Sequence, residues 1–513
     1  MTVNVGHILT RTARSFPERE GLVVEGQRLT FRDLNERVNR LANALLSEGL
    51  KKGDRVGLVF YNSLAYFESY LALYKAGLVW VRLNYRLSSP ELINMMRDAQ
   101  AHVLIHGAEF QQAADEICRA LPDVTLRVRQ GEGKGLDYES FLSSGNKEDP
   151  SVEVCEDDLC DIWYTSGTTG EPKGIMITHR NVLTCTQFLL SDVYWITEED
   201  KLLTVGALSH AGSVRVLPFL LRGALNVLHK RFDPLETFKT IEKERITDIS
   251  TVPTMLFALM DHPERGNYDL RSLKTITYAG APTPVERIKE AVKIFGPILD
   301  QSFGQAESII TITHLPKHEH LYENNPEREK RLSSVGREYP GVEIKVVDDS
   351  GEECRPGEIG EVITRSDLVM KGYWNRPEQT AEALKNGWLY TGDLGYRDEK
   401  GYLYLMDRKH GKIITGGLNV YPREVEEVLA QHEAIAEVSV FGTPDPKWGE
   451  AITAAVTLRS GKEASEQKLI AFCKNKLASY KTPKKIYFLE SLPKNAYGKI
   501  LTRELRERFS KGD

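Results

Sequence analysis

The feature that most constrains the fold of this chain is a repeated alternation between amphipathic helical segments and short, continuously apolar runs. TFRDLNERVNRLANALL (30–46) opens on a threonine able to cap and sets Leu34, Val38, Leu41 and Leu45 on one helical face. Lys51, Lys52, Gly53 and Asp54 break that helix, and RVGLVF follows as a buried strand; a second helix at 65–76 leads into GLVWVRL. The alternation returns at 90–106, 235–252 and 284–299. Apolar runs without polar alternation are strands covered on both faces, so the pattern predicts an α/β architecture of parallel or mixed sheets. At 513 residues the chain exceeds what a single core holds, and two or three domains are expected.

The texture changes near residue 340. VEIKVVDDSGEE, GEIGEVITR and GYLYLMDR read as short strands separated by Gly and Asp turns, a β-rich subdomain closing the larger unit. Beyond DRKHGK (407–412) come a helix at 422–431, strands EVSVFG and EAITAAVTL, a helix at 465–478 and strand KIYFL. This predicts a large N-terminal domain over 1–409 and a small α+β domain over 410–513.

The formal net charge of −6 argues against a nucleic-acid partner, which needs a basic face. The longest apolar run, VLPFLL (216–221), is bounded by Arg215 and Arg222 and falls far short of the roughly 18 residues of a membrane span. Six cysteines without a CxxC pair fit a reducing compartment, so a cytoplasmic location is expected. The N-terminus, with Ile8, Leu9 and Ala13 ahead of Pro17, reads as a short helix of the fold rather than a transit peptide.

Chemistry concentrates in YTSGTTGEPKG (164–174). Glycine-freed backbone N–H groups, the hydroxyls of Thr165, Ser166, Thr168 and Thr169, and the ammonium of Lys173 form a cradle for phosphate oxygens, with Gly167 and Gly170 opening the loop. It follows an apolar strand end, where α/β sheets bind ligands. It is not the GxxxxGK[ST] loop, because Lys173 falls three residues after Gly170 and precedes a glycine, and Pro172 hinders a helix behind it.

This loop, with ITHRNVL after it, resembles the signature of the adenylate-forming superfamily of acyl-CoA synthetases, adenylation domains and luciferases. The resemblance spans almost the whole chain, since LSHAGS (208–213), YAGAP (278–282), SFGQAES (302–308), YTGDLG (390–395), DRKHGKIITGGLNVYPREVE (407–426) and PKNAYGKI (493–500) follow in the family's order. It implies that a carboxylic acid is joined to ATP, giving acyl-AMP and pyrophosphate, and that the acyl group then passes to a thiol. Bringing a carboxylate against a phosphate demands positioning and positive charge.

By the resemblance, Lys499 is the catalytic lysine and Glu307 the Mg²⁺ ligand, a hard oxygen suited to that ion. Gly280, Ala281 and Pro282 form the adenine wall, and Ser302, Phe303, Gly304 and Gln305 complete the nucleotide contacts. Asp393 and Arg408 hold the ribose. His210 joins the catalytic set as a gate lining the acyl pocket, not as a base, with Gly212, Arg215, Tyr278 and Ile309 as further walls. His410 is the pivot of a domain rotation. Thr415, Gly416, Gly417, Trp448 and Lys484 face coenzyme A, a ring for its pantetheine arm and a cation for its phosphates.

Three positions depart from the family's pattern. Phe303 keeps an aromatic ring but lacks a phenol, Ala306 lacks a hydroxyl, and His410 stands where Asp or Lys is usual. Losing one neutral hydrogen bond at Ala306 costs roughly 0.5–1.5 kcal/mol, which slows an enzyme without abolishing it. The expected function is that of a free-standing acyl-CoA synthetase for a fatty or aromatic acid, with no appended carrier segment, and a homodimer is left open. Its rivals are an enzyme loading a carrier-protein thiol and a nucleotide-binding module with impaired catalysis. Arg215 in addition raises a substrate with a second polar or anionic group.

Overall fold

The computed structural model describes residues 4–165, 172–408, 411–415, 418–495 and 499–510. Two large sheets carry the N-terminal part. The first has nine strands, ordered 337–338, 313–315, 299–303, 275–279, 248–251, 201–204, 225–228, 20–24 and 27–30, parallel through its middle and antiparallel at both ends. The second has eight, ordered 372–373, 173–178, 159–165, 79–82, 55–59, 103–107, 126–130 and 136–137, again parallel apart from one end. The helix–strand alternation is therefore realised as two mixed sheets.

Local chemistry sets the elements. The helix Phe31–Ser47 starts at Thr30, whose hydroxyl accepts the Asp33 amide at 3.1 Å. Its Leu34, Val38, Leu41 and Leu45 are fully buried, each contributing roughly 1.5–3 kcal/mol. Helix Leu64–Ala76 ends on Gly77 at φ +65°, a left-handed cap that glycine adopts without a Cβ penalty. VLPFLL lies in the buried helix Ser213–Leu221. The largest core unites both sheets, with Tyr70, Trp80, Trp163, Phe219 and Tyr339 all enclosed.

Between residues 343 and 408 a five-stranded antiparallel sheet forms the β-rich piece; its strand Trp388–Arg397 pairs with Leu403–Arg408, setting Asp393 opposite Arg408. The C-terminal part has its own sheet, ordered 418–420, 413–415, 449–458 and 435–445, with 485–488 alongside 449–458. Helices Pro422–Ala430, Glu466–Lys474 and Thr502–Ser510 accompany it. The sequence expectation of two helices and three strands undercounts it, because 413–415, 418–420 and 502–510 are too short or too polar to carry a hydrophobic period. Polar contacts join the two parts: Arg459 to Glu290 at 3.2 Å and Arg423 Nη2 donating to the Ser333 carbonyl at 3.5 Å.

Candidate active site

The Gly/Thr-rich segment lies between two antiparallel strands, so Thr165 stands opposite Lys173 in register. A strand, not a helix, follows Pro172, and ITHRNVL is shaped by a capping box in which the Thr178 amide donates to Asn181 Oδ1 at 2.8 Å. Ser166, Gly167, Thr168, Thr169, Gly170, His410, Gly416 and Gly417 lie outside the described residues.

A charged corner forms where the β-rich piece meets the C-terminal part. Arg408 Nε reaches Asp393 Oδ1 at 2.7 Å, and Arg408 Nη1 donates to the Thr391 carbonyl at 3.2 Å. Gln305 Nε2 donates to the same carbonyl at 2.8 Å and to Asp393 Oδ2 at 2.5 Å. Burial raises the Asp393 carboxyl above its ordinary value, against the pull of Arg408, Gln305 and Lys499. Lys499 is solvent-exposed at the mouth of this corner. Surrounding protein, then the Arg408 charge, lowers its ammonium pKa, while Asp393 and Asp407 draw it up. Asp407 itself, pushed up to about 6 by burial, joins the corner although sequence reasoning did not select it. Its signal was adjacency to Arg408.

Glu307 is oriented by a residue that sequence reasoning missed: the Tyr373 hydroxyl donates to Glu307 Oε1 at 3.0 Å. Lys173 Nζ lies 5.2 Å from the centre of the Tyr373 ring, so the cradle lysine and Glu307 share one support. The segment around Glu307 is strained. Ile309 and Ile310 sit at φ +49° and +59°, where β-branched residues are outliers, held by amide bonds to Ala306 at 3.1 Å and Gln305 at 2.7 Å. Gly304 allows this, since a Cβ there would come within 2.2 Å of the Ile310 carbonyl carbon. Phe303 packs against the main core, and Ala306 is buried. Gly280, at φ +92°, and Pro282 are exposed, with Ala281 half-buried beside them, past the end of strand 275–279.

The acyl-pocket set divides by strand face. His210 breaks the helical path at φ −125°, ψ −134° before helix Ser213–Leu221, and its ring packs edge-on against Trp163 at 5.5 Å. Burial, then the Arg82 charge, depresses its pKa to about 4, so the imidazole is neutral at physiological pH. Gly212 is required by a close turn, a Cβ there lying 2.8 Å from the Ala207 oxygen. Arg215, also buried, donates to the Tyr194 hydroxyl at 3.3 Å and to Ser302 Oγ at 3.2 Å. Ser302, expected among the nucleotide contacts, thus turns its hydroxyl to Arg215 and to Tyr339 OH at 3.1 Å. Tyr278 is corrected: it hydrogen-bonds Gln301 and His320 on the opposite face of its strand from Thr277, which contacts Tyr194. Strand alternation removes it from the set around Arg215.

On the C-terminal sheet, Thr415 pairs with Gly449, beside the half-exposed Trp448, and Lys484 Nζ lies 5.7 Å from the Trp448 ring centre. Three of the residues expected at coenzyme A thus lie near one another at the start of strand 449–458.

These features set Asp393, Arg408 and Gln305 of the larger part beside Lys499 of the smaller one. Residues 9–374 match the AMP-binding enzyme family and 424–499 the AMP-binding enzyme C-terminal domain. The chain belongs to the AMP-binding enzyme family, within the adenylate-forming superfamily. It is 37% identical to a feruloyl-CoA synthase of Amycolatopsis sp over 502 residues (97% of this chain, 98% of the relative), and 36% identical to a long-chain-fatty-acid–CoA ligase of Bacillus subtilis strain 168 (98% and 93%). Among solved structures it is similar to o-succinylbenzoate CoA synthetase of Bacillus subtilis in complex with its acyl-adenylate intermediate. That likeness has a TM-score of 0.85 and 32% identity and covers 97% of both chains.

Proposed function

We propose that this chain is an AMP-forming acid–thiol ligase: it joins a carboxylic acid to ATP, releases pyrophosphate, and transfers the acyl group from acyl-AMP to coenzyme A. The observation that carries the reading is the meeting of Asp393, Arg408 and Gln305 with Lys499 of the C-terminal part. The relatives named above act on unlike acids at nearly equal identity, so the reading extends to a fatty or aromatic acid and no further.

In this reading Asp393 accepts the ribose hydroxyls, Arg408 and Gln305 hold that carboxylate in place, and Lys499 offsets the charge of carboxylate and α-phosphate as they meet. Lys173 and the Gly/Thr segment receive the phosphates. Glu307, half-buried and oriented by Tyr373, offers a hard oxygen that fits Mg²⁺ brought with the triphosphate. That ion would offset phosphate charge. His210, neutral and enclosed, lines the path to the acyl group without exchanging protons.

The domain division at 409/410 is part of the proposal, with His410 as pivot. Exposed ion pairs such as Arg459–Glu290 are worth about 0–1 kcal/mol, so the contacts between the parts favour rotation over permanent docking. Rotation would bring Thr415, Trp448 and Lys484 to the acceptor thiol. Location in the cytoplasm rests on the cysteine usage, and the six thiols are unbridged. The test is pyrophosphate release that requires an acid but no coenzyme A, followed by thioester formation when coenzyme A is added. Acid-independent release, or thioester formed only on a carrier protein, contradicts the proposal.

A further inference from the structure

We propose that Arg215 is a specificity residue that binds a second carboxylate at the far end of the acid, so that this chain's preferred substrates are dicarboxylic acids. The inference rests on the acid-activating reading above.

Arg215 is the one charged residue of the helix Ser213–Leu221, in the run SVRVLPFLL, and only 2% of it is exposed. A guanidinium does not surrender its proton in a protein, and burying it without an opposite charge is among the least favourable things a core can do. Yet its partners are neutral hydroxyls, those of Tyr194 and Ser302, and its Nε has no acceptor. Among the described residues no carboxylate comes within ion-pair distance of it. Arg82 shows what a buried structural arginine looks like in the same molecule. It is paired with Asp161 at 2.8 Å, and its guanidinium carbon lies 4.0 and 4.3 Å from the ring centres of Trp80 and Trp163.

The carboxylate best placed to compensate Arg215 is Asp300, on the same face of strand 299–303 as Ser302. It is turned toward His314, with Oδ2 3.5 Å from Nδ1. The position of Arg215 explains what its charge can meet. Ser302 is three residues from Gln305, which bonds Asp393, and Arg215 lies in the first turn of the helix that starts after the break at His210. Through Ser302 the guanidinium is tied to the strand that runs into Gln305 and the Asp393 corner, and the proposal sets the distal carboxylate on that side. A purely apolar tail would end against a charge and several hydroxyls. A second carboxylate would supply the missing partner in bidentate form.

The experiment measures kcat/KM for acid-dependent pyrophosphate release with linear dicarboxylates, succinate through sebacate, and the matched monoacids, butyrate through decanoate. Wild type, Arg215→Leu and Arg215→Lys are compared. The wild type is expected to favour its best dicarboxylate over the matched monoacid by about 10-fold or more, the scale of a charged hydrogen bond. Arg215→Leu should lose about 100-fold on dicarboxylates while holding or gaining on monoacids, and Arg215→Lys should fall between. Equal loss on both series in Arg215→Leu would make Arg215 a structural partner of Asp300 and overturn the inference. The wild-type panel decides even where a variant does not fold: preference for monoacids overturns the inference and leaves acid activation standing. Turnover of no acid at all overturns both.

Discussion

Two regions of this molecule centre on an arginine and treat it oppositely. At one, Arg408 is partly exposed and locked onto buried Asp393 at 2.7 Å, with Gln305 bracing the same carboxylate. At the other, Arg215 is enclosed, and its hydrogen bonds go only to the hydroxyls of Tyr194 and Ser302. The first arrangement is complete within the protein: the carboxylate has both its partners, and its geometry does not wait for a ligand. The second is electrostatically open. On the proposed reading, the site whose chemistry is the same for every substrate is built rigid, whereas the site that would choose the acid leaves a charge to be answered.

Breaking the corner should have the larger effect. Asp393→Asn removes the charge that Arg408 and Gln305 were folded around and, on the proposed reading, the acceptor for the ribose. We expect kcat/KM for ATP to fall by about 10²–10³-fold, with the KM for the acid much less affected, in steady-state pyrophosphate assays. A fall shared equally by ATP and acid would erase the division between the two regions. Tyr373→Phe deletes one hydroxyl from Glu307 and should cost roughly 0.5–1.5 kcal/mol, a few-fold loss that rises as Mg²⁺ is made limiting. A loss that ignores the Mg²⁺ concentration would detach Tyr373 from Glu307's role.

The smallest effect is expected from pH at His210. Its pKa is lowered from 6.5 to about 4, so the native imidazole stays neutral above that value while the unfolded chain takes up a proton from 6.5 downward. Stability drawn from this residue is therefore retained at neutral pH and lost as pH falls from 6.5 toward 4. The rate profile of adenylation between pH 5 and 8 should have the same shape in wild type and His210→Phe, even where the KM for the acid changes. A limb that disappears in the variant would make His210 a proton carrier.

The two regions also differ in how legible they are. Asp393, Arg408 and Lys499 lie in short segments that carry the resemblance to the adenylate-forming superfamily, and the structure brings them together. Thr30 capping helix Phe31–Ser47 is likewise a local signal, read within three residues. The surroundings of Arg215 depend on strand faces and on contacts such as Ser302 with Tyr339, 37 residues apart, and Arg215 with Ser302, 87 apart. Tyr278 was misassigned because a strand buried on both faces gives no alternation to say which side a residue takes. Tyr373 escaped notice because it meets Glu307 across 66 residues and carries no charge of its own. Neither Ile309 nor Ile310 signals a left-handed backbone by residue type; the close passage of Gly304 imposes it.

The central claim is that the C-terminal part supplies Lys499 to the first half-reaction alone. Single-turnover kinetics of Lys499→Ala, measured separately for acyl-AMP formation from acid and ATP and for thioester formation from supplied acyl-AMP and coenzyme A, test it directly. The account predicts a loss of about 10²–10³-fold or more in the first step, with the second close to wild type. Equal loss in both steps, or none in the first, would contradict it.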